Sequence, residues 1–380
     1  MLTRRPGSPQ HPYCPVHVDI PHTMTAPAVL ARYDRCRTYA WNYDHAPEPA
    51  GVEVPPVPGQ WRFCGLAVDS PLGVPAGPLL NGRWCLYYAS LGFDVVTYKT
   101  VRSGKRACYE LPNLQPVYAQ RLGGGQAPLE ASDQMHGSWA VSFGMPSKAP
   151  DVWRPDVQWT RQRLPAGKLL SVSVVGTVQE GWSLDQLADD YARCAAWAVQ
   201  SGADCVETNL SCPNVSTVDG QLYQQPAAAA LVAERVRDAI GRTPLIVKIG
   251  QLNSDEEGAA LLEALAQHAN ALAMTNSVVA TVADADGRLL FDGQRRGICG
   301  AAIRDASLAQ TEMMACLAGE RKLAVELIGV GGVSTADHVR AYLSTGAASV
   351  HIATAAMVNP AVAIEIRRQL AGGDGWRFDR

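Results

Sequence analysis

The ten cysteines of this chain form no CxxC pair, and its eight histidines form no HxxxH or HExxH pair. The first absence removes zinc ribbons and iron–sulfur clusters, and the second removes the commonest helix-borne metal site. No metal is therefore expected. A GxGxxG turn after the first apolar run is also missing, which argues against an open dinucleotide-binding sheet. No stretch approaches the roughly 18 uninterrupted apolar residues of a membrane span. The proline-rich start lacks the apolar segment of a secretory signal, so a cytoplasmic location is expected. A net charge of −3 gives no pull toward nucleic acid or an anionic membrane. What is present is 380 residues, 47 % hydrophobic and 18 % charged, enough for a large core.

Residues 1–60 read as an N-terminal extension and 61–380 as the catalytic domain. Prolines crowd the extension, with Pro47, Pro49, Pro55, Pro56 and Pro58 at its end. A helix is expected there from Ala26 to Tyr43, with Thr25 as cap and Pro27 near its start. Leu30, Tyr33, Ala40 and Trp41 would share its face, and the arm would pack on the main domain.

Beyond it, short apolar runs alternate with amphipathic helices. The runs are Leu72–Gly77, Val95–Thr100, Trp139–Met145, Leu169–Gly176, Cys205–Cys212, Leu245–Gly250, Ala271–Ser277, Leu327–Val333 and Ser349–Ala355. Ser183 with Gln186 signals a capping box. Pro226 opens a second helix and Gly241 closes it. Ser254 starts a third, Ser334 with Asp337 a fourth, and Asn359-Pro360 the last, ending at Gly372. Alternation of strand and helix implies a parallel sheet. The fold class is α/β, a (β/α)8 barrel with a proline-rich N-terminal arm. Nine runs are one too many, so Trp139–Met145 is assigned to an inserted excursion near the active-site face. The long Gly- and Pro-rich segment 102–138 would lie over that face.

Chemistry concentrates where apolar strands stop. Asn209-Leu210-Ser211-Cys212-Pro213-Asn214 sets one cysteine between two carboxamides, which can grip a flat heterocycle by its edge. Cys212 is the candidate acid/base, since an ordinary thiol titrates near 8.5 and a nearby lysine raises its thiolate fraction. The other nine cysteines read as packing residues. Lys99, Lys248 and Asn276-Ser277 also end strands, where a barrel points them into its mouth. Two ammonium groups there could stabilise an anionic ring or a carboxylate. Gly331-Gly332 and Ala353-Thr354 end the last two runs, where barrels often bind phosphate. Arg102, Lys105 and Arg106 read as a solvated loop face, and His351 as a core residue.

The motif at 209–214 resembles the active-base segment of class 1 dihydroorotate dehydrogenases, over roughly residues 65–370. That resemblance implies an FMN-dependent barrel that oxidises dihydroorotate to orotate in pyrimidine biosynthesis. It implies that Lys99 touches both flavin and substrate. Asn209, Asn214, Asn276, Ser277, Gly144 and Met145 would meet the substrate. Ala76, Gly77, Thr100, Asn209, Lys248 and Thr275 would meet the flavin, with Gly300, Gly331, Gly332, Ala353 and Thr354 at its phosphate. Cys212 would take the proton, and residues 215–223 would form a lid. Membrane-linked class 2 enzymes use serine as base and fit less well. The resemblance further implies a homodimer. The acceptor stays open among fumarate, quinone and NAD through a separate electron-transfer subunit.

One departure bears on substrate. Val141 stands where the family offers an asparagine to the orotate edge, with Ser142 or Ser147 as candidate replacements. Three other readings therefore stay open. One is a paralogous FMN oxidoreductase or ene-reductase acting on another cyclic substrate. Another is a tRNA dihydrouridine synthase-like enzyme, since those also use Asn-x-x-Cys-Pro on an FMN barrel. The last is a non-catalytic flavin-binding sensor.

Overall fold

A computed structural model describes residues 30–122, 127–211 and 218–372. Eight parallel strands close into a barrel: β1 (Leu72–Val74), β2 (Val95–Val101), β3 (Leu169–Val174), β4 (Cys205–Asn209), β5 (Leu245–Lys248), β6 (Ala271–Met274), β7 (Glu326–Val330) and β8 (Ser349–His351). Each pairs with its sequence neighbours, and β8 pairs with β1. These eight fall on the expected runs, and the ninth, at Ser138–Val141, lies outside the barrel as expected.

Alternation along the strands sorts the side chains. Val96, Val172, Val206 and Val247 face outward into the shell of helices, while Val95, Leu169, Cys205 and Ile246 fill the amino-terminal end of the interior. A hairpin, Trp61–Phe63 with Leu66–Val68, plugs that end, and Phe63 and Val68 join the same interior cluster. Polar residues take over toward the other end. Ser171, Ser173, Thr97, Glu207 and His351 are all buried there.

Most helix ends stand where the sequence puts them. Ser183 and Gln186 form the reciprocal capping box at the start of Leu184–Gln200. Pro226 opens Pro226–Ile240, Gly241 closes it, and Ser254 caps Asp255–Leu265. Two starts need correction. Thr335, not Ser334, caps Ala336–Ser344, because its hydroxyl accepts from the His338 N–H while Ser334 faces the His338 ring. The last helix runs Val362–Ala371, since Asn359 spends its side chain on the Ala361 N–H and Glu365.

The arm departs further from expectation. Its described part holds only a six-residue helix, Tyr39–Asp44, capped by Thr38. Asn42 explains the shortening. Its amide donates to the carbonyls of Asp34, Arg37 and Thr38, and its oxygen accepts from the Asp34 N–H. Such side-chain bonds compete with helix formation. Ala40 and Trp41 consequently face solvent rather than sharing a buried face with Tyr33. The arm still packs on the barrel: the Trp84 indole donates to Asn42 O at 3.0 Å, and Asn81 to Tyr43 O at 2.8 Å.

The excursion is larger than one run. Ser138–Val141 joins Leu114–Tyr118, Leu129–Ala131, Val278–Ala280, Val282–Ala283 and Arg296–Gly300 in a six-stranded sheet. A second inserted segment, after β6, therefore supplies three of its strands. Trp139 turns toward the barrel mouth, and Ala140 turns away into the sheet's own small core with Val117 and Ile298.

Candidate active site at the carboxyl mouth of the barrel

Two adjoining cavities open at the carboxyl ends of the strands. The first is lined by Ala76, Gly77, Lys99, Thr100, Gly144, Met145, Asn209, Lys248, Asn276, Ser277, Ala353 and Thr354. The second is lined by Thr275, Asn276, Gly300, Gly331, Gly332, Ala353 and Thr354. They share Asn276, Cys299, Val330, Ala353 and Thr354, so they form one continuous groove. Every described residue that the resemblance assigns to substrate or flavin lies on it. Cys212 and Asn214 lie outside the described residues, as does the start of the expected lid.

Both strand-end lysines are buried, each about 7 % exposed, so neither ammonium simply reaches water. Lys99 Nζ donates to Gly77 O at 3.1 Å and stands 4.6 Å from the Phe143 ring centroid. Its neighbour Thr100 also faces the groove, because β2 shifts register against β3 between Tyr98 and Val101. The Thr100 hydroxyl meets Ser173 Oγ at 3.0 Å. The Lys248 ammonium makes no hydrogen bond to another described residue, although the Glu207 carboxyl is near enough to feel its charge. A buried ammonium of that kind is costly unless an acceptor enters the cavity beside it.

The two asparagines are aimed by their surroundings. Asn209 Oδ1 accepts from the Ser211 N–H at 3.2 Å, and its amide nitrogen lies 3.5 Å from Thr100 Oγ1 and 3.7 Å from Met145 Sδ. Asn276 donates to Ser211 O at 2.7 Å, tying the strand-end turns of β4 and β6 together. On the excursion side, Gly144 has φ +72°, and a Cβ there would lie 2.6 Å from the Tyr109 ring. Glycine is therefore required where that turn passes Tyr109.

Lys248 sets the local electrostatics. Burial pushes the Glu207 carboxyl up, an effect that Lys248 and the Ser173 hydroxyl partly offset. Burial pushes the Cys299 thiol up to about 11, again against Lys248. His351 is driven down to about 3 by burial, with the Lys248 charge adding to it. Neither His351 ring nitrogen has a hydrogen-bond partner among the described residues. The ring stacks on Phe63 at 5.6 Å and occupies the space a Cβ on Gly73 would need.

Several residues play parts that the sequence did not announce. Phe143, Leu114, Trp139 and Met357 line the first cavity. Cys299, which the resemblance puts beside Gly300 at the phosphate, lines both cavities and its thiol contacts Asn276 O at 3.4 Å, so it is more than a packing residue. Its place just before Gly300, at a strand end, was the available signal. Cys36 is bonded in a disulfide and is likewise not a packing thiol. Arg102 is not solvated: it is fully buried, donating to Gly176 O at 2.6 Å and to Met145 O at 3.3 Å. It thus fastens the Met145 turn to the barrel. Val141 does line the cavity, and neither serine replaces the missing amide. Ser142 Oγ accepts from Arg296, and Ser147 Oγ accepts from the Arg102 N–H and donates to Lys148 O.

A closed parallel barrel with a polar, lysine-bearing groove at its carboxyl mouth defines a barrel enzyme. The dihydroorotate dehydrogenase family profile matches residues 60–372. A dihydroorotate dehydrogenase of Dictyostelium discoideum is 30 % identical over 324 residues, covering 80 % of this chain and 86 % of that one. The quinone-type dihydroorotate dehydrogenase of Bordetella pertussis is 27 % identical, covering 81 % and 84 %. The solved Eimeria tenella DHODH in complex with ferulenol superposes with a TM-score of 0.66 at 18 % identity, over 82 % of this chain and 83 % of that one. The last shares the fold. The chain belongs to the dihydroorotate dehydrogenase family and is an oxidoreductase.

Proposed function

We propose that this enzyme oxidises dihydroorotate to orotate with FMN in the groove, serving pyrimidine biosynthesis. The observation that carries the reading is the convergence of Lys99, Asn209, Lys248, Asn276 and Ser277 on one cavity. Family membership favours it over the paralogue, dihydrouridine synthase-like and sensor readings.

The groove suits such a cofactor. A Cβ built on Gly77 meets nothing within 4 Å, so a flat ring can lie against the backbone there. Lys248 offers a buried donor to a polar ring edge. Gly331 and Gly332, with φ +147° and +65°, bend the chain around the second cavity, where a phosphate would take backbone N–H groups. Thr275, Gly300, Ala353 and Thr354 complete that lining, and Ala76 and Thr100 line the first cavity. When bound, FMN accepts the hydride that leaves C6 of the substrate.

The chain does the rest. Lys99 and the turn at Gly144-Met145 hold the substrate carboxylate. Asn209, Asn214, Asn276 and Ser277 hold the ring's polar edge. Cys212, as thiolate, takes the proton from C5 while the C5–C6 bond becomes double. Val141 leaves one edge of the ring without an amide partner, so recognition rests on the remaining groups. Residues 1–60 are an extension to the catalytic domain 61–380, which works as a homodimer. An NAD-linked reaction would need a separate electron-transfer subunit, because this chain has no CxxC pair for a cluster.

The test is anaerobic mixing of the purified protein with dihydroorotate while following the visible flavin absorbance. Rapid bleaching that disappears in Cys212→Ala is expected. A flavin-loaded protein that does not bleach would discard dihydroorotate as substrate, and a chain that takes up no FMN would discard the whole reading.

A further inference from the structure

The arm passes over the mouth of the barrel and is tied to it on several sides. Arg32 donates to Val358 O at 3.3 Å, and Ala31 O accepts from the Tyr87 hydroxyl at 2.9 Å. Arg35 donates to Asp133 O at 2.5 Å, two residues before Met135, which lines the second cavity. Lys148, just beyond the Gly144-Met145 turn, sits 4.4 Å over the Tyr43 ring.

Between these ties two arm tyrosines enter the core. Tyr33 and Tyr39 are both buried, and both meet Phe143 edge to face. The centroid distances are 5.9 Å and 6.1 Å, at interplanar angles of 90° and 71°. Phe143 is itself part of the first cavity's wall and carries the Lys99 ammonium over its face at 4.6 Å. Two edge-to-face contacts fix the tilt of a ring. The tilt in turn sets where a cation on its face is held. A lysine has four rotatable bonds, so an ammonium meant to meet one carboxylate gains from such a restraint.

We propose that Tyr33 and Tyr39 of the arm clamp Phe143 as the platform for Lys99, which makes the arm a positioning element of the pocket for an anionic planar heterocycle. The inference rests on the reading of this cavity as the dihydroorotate site. It gives the arm a catalytic purpose, although no arm residue needs to touch the substrate.

A double-mutant cycle on the holoenzyme decides it, with orotate binding read from the perturbed flavin spectrum. Tyr39→Leu and Phe143→Leu are each expected to weaken orotate and to raise the dihydroorotate KM by about tenfold, with kcat changed less. Tyr39→Phe keeps the ring and is expected to bind as the wild type does. In the Phe143→Leu background, Tyr39→Leu is expected to add nothing. Thermal midpoint and flavin content are followed in each variant. If Tyr39→Leu does not fold, Tyr33→Leu carries the same cycle from the other side of the ring. Additive losses, or unaltered orotate binding in a folded Tyr39→Leu protein, would overturn the clamp alone. A wild-type holoenzyme that binds no orotate would overturn the functional reading and the clamp with it.

Discussion

Lys99, Lys248, Asn209 and Asn276 could be read from the sequence for one reason: each is a polar residue at or near the carboxyl end of an apolar strand. Phe143 and Glu207 could not, because an aromatic or a charge inside an apolar run has the same local signature in a core as in a site, whereas His351 was read as core and is buried. His351 shows what the interior demands. Its ring is buried and neutral, with a pKa near 3 against an ordinary value of about 6.5. The unfolded chain therefore takes up a proton below about pH 6.5 that the folded chain refuses until about pH 3. The stability tied to this residue is complete above pH 6.5 and drains away as pH falls toward 3. At pH 4.5 the loss is roughly 3 kcal/mol. Urea unfolding of His351→Gln across that range should show a flatter acid limb than the wild type; parallel limbs would contradict this assignment.

Elements with strong end signals were legible to within a residue or two. The capping box at Ser183 is the clearest, since both of its reciprocal bonds form. Ser183→Ala is expected to cost about 1 kcal/mol, seen as a lowered denaturant midpoint with an unchanged slope. The arm helix was misplaced because Pro27 and Thr25 look like a start, whereas the bonds made by Asn42 come from tertiary folding. The second excursion, 278–300, was missed for a related reason. Its strands are two to five residues long, and two of them pair with the first excursion, far away in sequence. Short strands of this kind carry little periodicity of their own.

At the scale of the molecule, the barrel and the excursion's place at its mouth followed from counting runs and noting one too many. The plug at the other end did not, since Trp61–Val68 is too short to declare its destination. Phe63 is fully buried against the interior cluster and stacked on His351. Phe63→Ala should lower stability by about 3–5 kcal/mol, measured by thermal or chemical unfolding. Orotate binding should survive, because Phe63 lines neither cavity and its neighbour His351 lines only the second, away from Lys99 and Asn209. Weakened binding without loss of stability would contradict that separation. No helix among the described residues is long and apolar enough to cross a membrane.

That stopper has a consequence for traffic. Among the described residues, the hairpin corks one end of the vessel and both cavities open at the other, so they share one mouth. A diffusing electron acceptor that entered by this mouth would cross the same threshold as dihydroorotate and orotate. The two half-reactions would then take turns: the first visitor would leave its electrons behind and depart before the second could collect them.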